Sequence, residues 1–330
     1  MTTLSSGDAI QRVAAIFVRE GCSAGNAQSV ARALVAAEAD GLGGHGLSRI
    51  ATYLQMVRAG KIDGSAQPSA TRTRPGVLVI DAAHGFAYPA LDLAVAELPA
   101  IASEQGIAAA SIRRSSHCGE TGLPCEALAQ KGLVALLFAN TPGAMAPWGG
   151  RRLVFGTNPI AFAAPLQGRE PVVVDLALSR VARGLIVAAK QRGESIPQGW
   201  ALDAEGNATT DPDRALAGSM IPLGDAKGAA LAFMVEVLAA CLTGANLAFE
   251  ASSFLDDKGP PPATGQLLLA LDPSAFGHVQ FGERIAALAG AIEHQPGTRL
   301  PGARRLANRA RAAREGIVIP PDIEAMANWS

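Results

Sequence analysis

The sequence of 330 residues lacks an excess of charge of either sign, and this argues against one large class of partners. Its 28 lysines and arginines are balanced by 29 aspartates and glutamates, which gives a formal net charge of −1 at pH 7. Nucleic-acid-binding surfaces neutralise phosphates with clustered basic residues. The balanced composition therefore predicts that nucleic acid is not a partner.

Cysteines and long apolar runs are also scarce. The four cysteines have neither metal-ligand nor disulfide-framework spacing, and the five histidines form no ligand-spaced pair. No apolar run reaches the roughly 18 residues of a membrane span, and residues 1–8 lack the regions of a signal peptide. We therefore expect a cytoplasmic protein with no metal site and no membrane contact.

What the sequence does contain is typical of a compact globular protein. Hydrophobic residues make up 49% of the chain, and the mean hydropathy is +0.21. Short apolar segments alternate with helical patterns, which favours an α/β class. Strands are predicted at 75–81, 107–112, 133–140, 171–175 and 265–272, and helices at 26–40, 91–105, 126–131, 185–191, 227–242 and 281–293. The Gly- and Pro-rich segment 141–165 has no helix pattern and is expected to wrap a ligand cavity.

The most informative segment, residues 40–49, reads Asp-Gly-Leu-Gly-Gly-His-Gly-Leu-Ser-Arg. Gly41, Gly43 and Gly46 match the G-x-G-x-x-G spacing of a dinucleotide-binding turn, which must follow a buried strand and open a helix. The preceding residues, 26–40, instead have the apolar spacing of an amphipathic helix. This context excludes a Rossmann turn.

The same segment places His45 four residues before Arg49, and the two side chains share a face if the chain is helical from Leu47 onward. An imidazole that donates a proton beside a guanidinium that holds a carboxylate suits the reduction of an α-keto or α-imino acid. Ser48 and Tyr53 could orient this face or could be solvated. A capping or surface histidine is the alternative interpretation of His45.

Four further positions could carry chemistry. His117 follows a predicted strand, where sites are often built, or it is a loop hydrogen-bonding residue. Asp175 ends an apolar strand and could cap the next element or orient a histidine. Lys227 begins a predicted helix, which suits an anion such as phosphate, or it is solvated. The arginines after Gly302 form a solvated helix face or bind the 2′-phosphate of NADP.

Six blocks of the chain resemble the malate/L-lactate dehydrogenase family, which is unrelated to the Rossmann lactate dehydrogenases. This family includes sulfolactate dehydrogenase, 2,3-diketo-L-gulonate reductase, ureidoglycolate dehydrogenase and Δ1-piperideine-2-carboxylate reductase. The similarity extends over nearly the whole chain. The blocks are Gly44–Arg49, Ser116–Gly119, Met145–Gly150, Phe155–Pro165, Val174–Ser179 and Gly224–Gly228.

The resemblance implies an α/β (α+β) fold of the non-Rossmann type. It implies a mostly antiparallel cofactor-binding sheet and a helical domain built from both termini. Residues 1–115 and 295–330 would form the helical domain for substrate binding and dimerisation, and residues 116–294 would form the NAD(P)-binding domain. It also implies a homodimer with active sites near the subunit interface.

The resemblance further implies an NAD(P)H-dependent oxidoreductase that reduces the C2 carbonyl of a small carboxylate, with NADP preferred and NAD possible. By motif match, His45 would be the proton donor and Arg49 would bind the substrate carboxylate. His117 would line the substrate and nicotinamide pocket, and Asn158 and Pro159 would help form the substrate pocket. The residues implied to hold the cofactor are Val174, Asp175, Leu176, Ala177, Leu178, Ser179, Arg180, Ala226, Lys227, Gly302, Ala303 and Arg304.

Departures from the family pattern leave the substrate open. Gly44 stands where members have serine, Leu178 replaces threonine, and Gly224–Gly228 reads Gly-Asp-Ala-Lys-Gly where Gly-Gly-His-Lys-Gly is usual. One alternative is a malate-, lactate- or sulfolactate-like 2-hydroxy acid, for which Arg113 or Arg114 could hold a second anion. The other is NADPH-dependent reduction of Δ1-piperideine-2-carboxylate or Δ1-pyrroline-2-carboxylate to L-pipecolate or L-proline. A non-catalytic relative would bind its ligand without turnover.

Overall fold

A computed structural model describes residues 2–277 and 280–327 of the chain. Within these residues, the α-helices are α1 (Ser6–Arg19), α2 (Ala24–Ala39), α3 (Ile50–Arg58), α4 (Ala87–Gln105), α5 (Gly122–Ala129), α6 (Arg183–Arg192), α7 (Pro212–Ala217), α8 (Ala226–Glu236), α9 (Phe281–Glu293), α10 (Ala303–Glu315) and α11 (Pro321–Ala327). The strands are β1 (Thr3–Leu4), β2 (Ser69–Arg74), β3 (Val77–Asp81), β4 (Ile107–Ser115), β5 (Val134–Ala139), β6 (Ile160–Leu166), β7 (Arg169–Leu176), β8 (Ala201–Leu202), β9 (Ala208–Thr209), β10 (Ser219–Met220), β11 (Thr264–Leu271) and β12 (Ile317–Val318).

The centre of the fold is a seven-stranded sheet in the order β2-β3-β4-β11-β5-β6-β7. Among its described strands, β3 and β4 pair in parallel, and every other neighbouring pair is antiparallel. The prediction of a mostly antiparallel sheet is therefore confirmed. Antiparallel neighbours need no helical crossover between them, so the sheet is not of the doubly wound type.

Helices cover both faces of this sheet. On one face, α4 and α5 pack through side chains such as Leu98 and Leu128 against the β-strand residues Ile112 and Leu137. On the other face, buried residues of α8 contact β5 and β11 in a separate hydrophobic cluster. Strands covered on both faces are apolar over most of their length, and this explains why their positions could be predicted from short apolar runs.

A helical layer formed by both ends of the chain packs beside the sheet. Its core includes Phe17, Leu34 and Tyr53 from the N-terminal helices and Ile319 and Ile323 from the C-terminal segment. The pairing of β1 with β12 joins the two ends directly. The predicted helical domain from both termini is confirmed. The large sheet, however, takes strands from both sides of residue 115, where the domain boundary was expected.

Two elements differ from the sequence-based expectation. Part of the segment 141–165 is strand β6, which tolerates Pro165 because the register shifts between Ala164 and Leu166. The helix expected to run to residue 242 is α-helical only to Glu236 and continues as a π-helical turn over Val237–Cys241. None of the described helices has both the length and the apolar character needed to cross a bilayer.

Candidate active site

Several loops converge on a cavity of about 560 Å³ beside the C-terminal end of β7. Its wall includes His45 from the glycine-rich turn after α2 and His117 from the segment that follows β4. Residues of β7 and the start of α10 form another part of the wall. The cavity therefore brings together segments that lie far apart in the sequence.

The imidazoles of His45 and His117 stack in this cavity, with ring centroids 5.5 Å apart and ring planes 10° apart. The turn that carries His45 is held by Glu38, whose carboxylate accepts a 2.9 Å hydrogen bond from the amide of Leu47. Among the described residues, no hydrogen-bond partner is found for the His45 imidazole. A ligand in the cavity can therefore hydrogen-bond to this ring without displacing a protein group.

Arg49 approaches the two histidines from a 3₁₀ turn over Leu47–Arg49 that precedes α3. His45 thus lies before the helix, and the turn rather than an α-helical face brings the two side chains together. The Nε of Arg49 donates to the carbonyl of Gly44 at 2.8 Å, which leaves its two Nη groups for a ligand. Ser48 is exposed and donates to the carbonyl of Gly43.

Burial disfavours the charged form of both histidines in the free protein. Burial lowers the pKa of His45 to about 4, with a further contribution from the positive charge of Arg49. Burial, Arg49 and the neighbouring His45 hold the pKa of His117 well below its usual value. A bound anion would oppose these effects, because a negative charge stabilises the imidazolium form.

The two tyrosines of the chain both lie behind His117. The hydroxyl of Tyr53 is 2.6 Å from Nδ1 of His117 and 2.9 Å from the hydroxyl of Tyr88. Tyr53 is fully buried, so it is not solvated. The position of Tyr88 requires glycine at 119, since a Cβ there would lie 2.6 Å from the Tyr88 hydroxyl oxygen. Sequence reasoning missed Tyr88, although the scarcity of tyrosine was a usable signal.

The loop before β6 contributes to the cavity wall through the two neighbours of Asn158. Pro159 and its neighbour Thr157 line the cavity. Asn158 is fully buried, and its amide donates to the carbonyl of Ala232 at 3.0 Å and to the carboxylate of Glu236 at 2.7 Å. The side chain of Asn158 therefore turns into the core and holds in place the loop whose residues Thr157 and Pro159 line the cavity.

Several residues predicted to hold a cofactor do line the cavity, namely Asp175, Leu176, Ala177, Gly302 and Arg304. Asp175 accepts 2.7 Å hydrogen bonds from the side chain of Thr121 and from the amide of Gly122. Enclosure by the surrounding protein nevertheless raises its pKa. Gly302 has a φ of +82°, and a Cβ there would lie 3.0 Å from the carbonyl oxygen of Val173, so the backbone approaches closely.

The other predicted cofactor residues neighbour the cavity without lining it. Val174 lies in β7 and Ala303 begins α10. Leu178 and Ser179 are buried, and the hydroxyl of Ser179 donates to the carbonyl of Val181 at 2.7 Å.

The predicted cofactor residues Ala226 and Lys227 follow a segment that pairs with the end of the 174–180 stretch. Backbone hydrogen bonds of 2.8 Å join the segment 178–180 to the segment 221–223. Arg180 forms an ion pair with Asp225, directly before α8. Ala226 and Lys227 are exposed at the start of this helix, and Lys227 has no ion pair among the described residues.

A buried cluster of charged residues forms the floor of the cavity. Arg305 donates to Glu120 at 2.9 Å and to Glu126 at 2.8 Å, and it lies 3.3 Å from Asp40. Arg309 binds Asp40 through two hydrogen bonds of 2.6 and 2.7 Å. Desolvation and the nearby Asp40 raise the pKa of Glu120 to about 8.

This cluster corrects one assignment among the arginines after Gly302. Arg305 also lines the cavity, but it is buried and its two Nη groups are held by Asp40, Glu120 and Glu126, so we do not assign it to the 2′-phosphate. Its neighbour Arg304 is exposed, lines the cavity and has no ion pair among the described residues. Successive residues of a helix point about 100° apart, so adjacent arginines take different roles.

The arginines considered for a second substrate anion lie elsewhere. Arg113 and Arg114 are at the end of β4 and pair with Asp81, at 3.5 and 2.7 Å. Neither is among the residues that line the cavity. In the part of the chain that the structure describes, no cluster of three metal-ligating side chains is found.

Comparisons with known proteins place this geometry in a family. A sequence model of malate/L-lactate dehydrogenase matches residues 4–326. A (2R)-3-sulfolactate dehydrogenase (NADP(+)) of Chromohalobacter salexigens is 51% identical over 294 residues, 89% of this chain and 87% of that protein. A Δ1-pyrroline-2-carboxylate reductase of Pseudomonas fluorescens is 40% identical, over 92% of this chain and 91% of that one.

Solved structures agree with the sequence comparison. The crystal structure of Δ1-piperideine-2-carboxylate reductase from Pseudomonas syringae pv. tomato has a TM-score of 0.95 and 37% identity, and the match covers both chains completely. Sulfolactate dehydrogenase from Methanocaldococcus jannaschii has a TM-score of 0.89 and 26% identity, with 99% of this chain and 95% of that one covered. This chain belongs to the malate/L-lactate dehydrogenase family.

Proposed function

We propose that the protein is an NADPH-dependent oxidoreductase that reduces the C2 carbonyl of a small 2-oxo acid and, in reverse, oxidises the 2-hydroxy acid. The observation that carries this proposal is the pair of stacked imidazoles beside Arg49. They share one cavity with the Asp175–Ala177 segment and the start of α10. The cavity therefore holds a proton donor and has room for a second molecule, and Arg49 lies beside its two histidines without being among the lining residues.

The cavity wall fits a nicotinamide dinucleotide. Its volume of about 560 Å³ is in the range of small-molecule sites. The close approach of Gly302 to Val173 leaves an open backbone surface. Oε2 of Glu120 is buried without a partner, and this oxygen suits a hydroxyl donor such as that of a ribose. Arg304 is the residue we assign to the 2′-phosphate, since a guanidinium binds phosphate as a fork. When bound, NADPH supplies a hydride to C2.

The protein's own residues supply the remaining chemistry. The free Nη groups of Arg49 bind the substrate carboxylate as a fork and place C2 beside the imidazoles. The negative charge of the bound acid raises the pKa of His45, so that its imidazolium form can donate a proton to the C2 oxygen. General-acid assistance of this kind is worth about 10²–10⁴-fold in rate. In the oxidative direction, neutral His45 takes the proton back.

Two substrate classes have support from relatives. The identity of 51% with a sulfolactate dehydrogenase favours a three-carbon 2-oxo acid with a second anion, such as sulfopyruvate. The structural similarity to a Δ1-piperideine-2-carboxylate reductase supports the second candidate, NADPH-dependent reduction of a cyclic imino acid. We favour the 2-oxo acid because the higher identity extends over 89% of the chain.

The experiment that tests this function follows NADPH oxidation by purified protein with pyruvate, oxaloacetate, sulfopyruvate and Δ1-piperideine-2-carboxylate at matched concentrations. We expect the largest kcat/KM with a 2-oxo acid, and sulfopyruvate to exceed pyruvate. Turnover of the cyclic imine alone would establish the second candidate. NADPH binding without oxidation on any of the four would contradict both enzymatic functions and indicate a binding protein.

We also propose that the protein is a homodimer that pairs through the outer face of α8 and of the π-helical turn that follows it. Phe233 and Leu242 are 61% and 63% exposed, and Met234 and Val237 are exposed beside them. Between Lys227 and Glu250 the only charged residue is Glu236, which is buried. An exposed apolar patch of this kind marks an interaction site. This face lies in residues 116–294, outside the segments first expected to dimerise.

A further inference from the structure

We propose that Tyr53 and Tyr88 hold His117 as the neutral tautomer protonated on Nε2, and that this N–H donates a hydrogen bond to the reacting C2 oxygen. His117 would then polarise the carbonyl, while His45 supplies the proton. This proposal rests on the proposed function only where it names the C2 oxygen of the substrate as the acceptor of the hydrogen bond. The tautomer itself is a property of the protein without ligand.

The geometry behind His117 forms a chain of three polar groups. The hydroxyl of Tyr53 lies 2.6 Å from Nδ1 of His117, and the hydroxyl of Tyr88 lies 2.9 Å from that of Tyr53. Tyr53 is inaccessible to solvent and Tyr88 is 6% exposed. No other protein donor is found for Nδ1 among the described residues. Because Nδ1 is occupied, Nε2 is the nitrogen left for the cavity that His117 lines.

The direction of these hydrogen bonds follows from acidity. A phenol is a better donor than a neutral imidazole N–H, and an unprotonated imidazole nitrogen is a better acceptor than a phenol oxygen. Tyr53 therefore donates to Nδ1, which places the imidazole proton on Nε2. Tyr88 in turn donates to the oxygen of Tyr53, and such chains strengthen each of their bonds. The two hydroxyls thus act together on one nitrogen.

The surroundings of His117 disfavour its charged form. His45 and Arg49, which lie in the segment between α2 and α3, both face the ring of His117. Phe254 contacts this ring edge-on, with the two ring centroids 5.3 Å apart. No carboxylate hydrogen-bonds to His117 among the described residues. A neutral imidazole cannot give up its only proton easily, but it can donate a hydrogen bond to a developing alkoxide. Preorganised donors of this kind stabilise the transition state.

The two stacked histidines therefore take different roles. His45 has no hydrogen-bond partner in the described protein, so its protonation state is free to respond to the bound acid. His117 has a partner that fixes its tautomer and its ring orientation. Tyr53 is a positioning residue in this scheme, since it acts on the substrate only through His117.

The first test reads the tautomer directly in the free protein by ¹⁵N NMR of the histidine rings, with His117→Gln used to assign the signals. The proposal predicts an unprotonated Nδ1 and a protonated Nε2 for His117. Tyr53→Phe keeps the ring but removes the donor, so the signals should shift toward a mixture of tautomers. Phe254→Leu is the matched control, because it removes a ring contact without touching Nδ1. A protonated Nδ1 in the unsubstituted protein would overturn the proposal.

The second test is kinetic. Tyr53→Phe should slow turnover with the 2-oxo acid about 10- to 100-fold, with a change in the KM for NADPH of less than roughly twofold. Tyr88→Phe should act in the same direction with a smaller loss, and it serves alone if Tyr53→Phe does not fold. An unchanged kcat in the folded variants would overturn the proposal while leaving the proposed function intact. If the unsubstituted protein does not turn over a 2-oxo acid, the proposed function is contradicted. The NMR experiment would still determine the tautomer of His117.

Discussion

Arg305 donates a buried hydrogen bond to Glu120 in the floor of the cavity, with Nη1 and Oε1 2.9 Å apart. Arg304, one position earlier, is exposed and lines the same cavity. Two adjacent arginines of α10 thus lie in different surroundings and have different roles. One compensates buried carboxylates, and the other is available to a phosphate.

Arg304→Ala is expected to weaken NADPH binding about 10-fold or more, because a charge-assisted fork to the 2′-phosphate contributes roughly 1.5–3 kcal/mol. The dissociation constant of NADH should stay within about twofold. Binding can be followed by nicotinamide fluorescence. Equal loss of affinity for both nucleotides would place the 2′-phosphate elsewhere.

Arg305→Ala should instead reduce the free energy of unfolding, because Glu120 and Glu126 would lose a buried partner. Removing one member of a buried ion pair costs about 3–5 kcal/mol. Chemical denaturation of the two alanine variants side by side measures the difference. We expect Arg304→Ala to unfold like the unsubstituted protein. Similar midpoints for both variants would contradict the separate roles.

His45→Gln is expected to slow the reduction of the 2-oxo acid by about 100-fold or more, since it removes the proton donor. NADPH affinity should change little, because the loss is in the chemical step. Stopped-flow absorbance of a single turnover separates chemistry from product release. Near-normal turnover in this variant would exclude the acid–base role of His45.

The lowered pKa of His45 predicts a pH dependence of stability. The folded-state pKa is about 4, against an ordinary value of about 6.5. Between these values the unfolded chain binds more protons than the folded one, so stability falls as the pH falls from about 6.5 to 4. His45 contributes up to about 3 kcal/mol to this loss, and His117 acts in the same direction. As the pH falls over this interval, the denaturation midpoint of His45→Gln should decline less steeply than that of the unsubstituted protein. An equal slope in the two proteins would show that burial does not shift the titration of His45.

Phe233→Glu places a charge on the exposed face of α8 and should convert the dimer to a monomer in sedimentation velocity experiments. Val18→Glu is the matched control, because Val18 is 46% exposed on α1, away from α8. We expect this control to remain dimeric. A monomeric unsubstituted protein, or a dimer that survives Phe233→Glu, would contradict pairing through α8.

Local patterns predicted a large part of the fold and of the site. The apolar runs located the central strands, and motif match located His45, Arg49 and His117, which the structure brings together. Asp175 and Gly302 also line the cavity as expected. These residues could be found because their roles depend on short sequence blocks.

The remainder depends on contacts between distant parts of the chain. Tyr53 of α3 meets His117 across 64 residues of sequence, and Tyr88 of α4 meets Tyr53. The inward orientation of Asn158 follows from a backbone φ of +40° and from Glu236 on α8. The difference between Arg304 and Arg305 depends on which side of α10 meets the carboxylates. None of these relationships has a local sequence signature.

The central claim is that a hydride reaches C2 of a 2-oxo acid in this cavity. It is tested most directly by incubating the protein with a 2-oxo acid and NADPH that carries deuterium at C4 of the nicotinamide, with each C4 face labelled in turn. The account predicts one deuterium, at C2 of the 2-hydroxy acid product, from one labelled face and none from the other. A reduced product without deuterium at C2, or no reduced product at all, would contradict it.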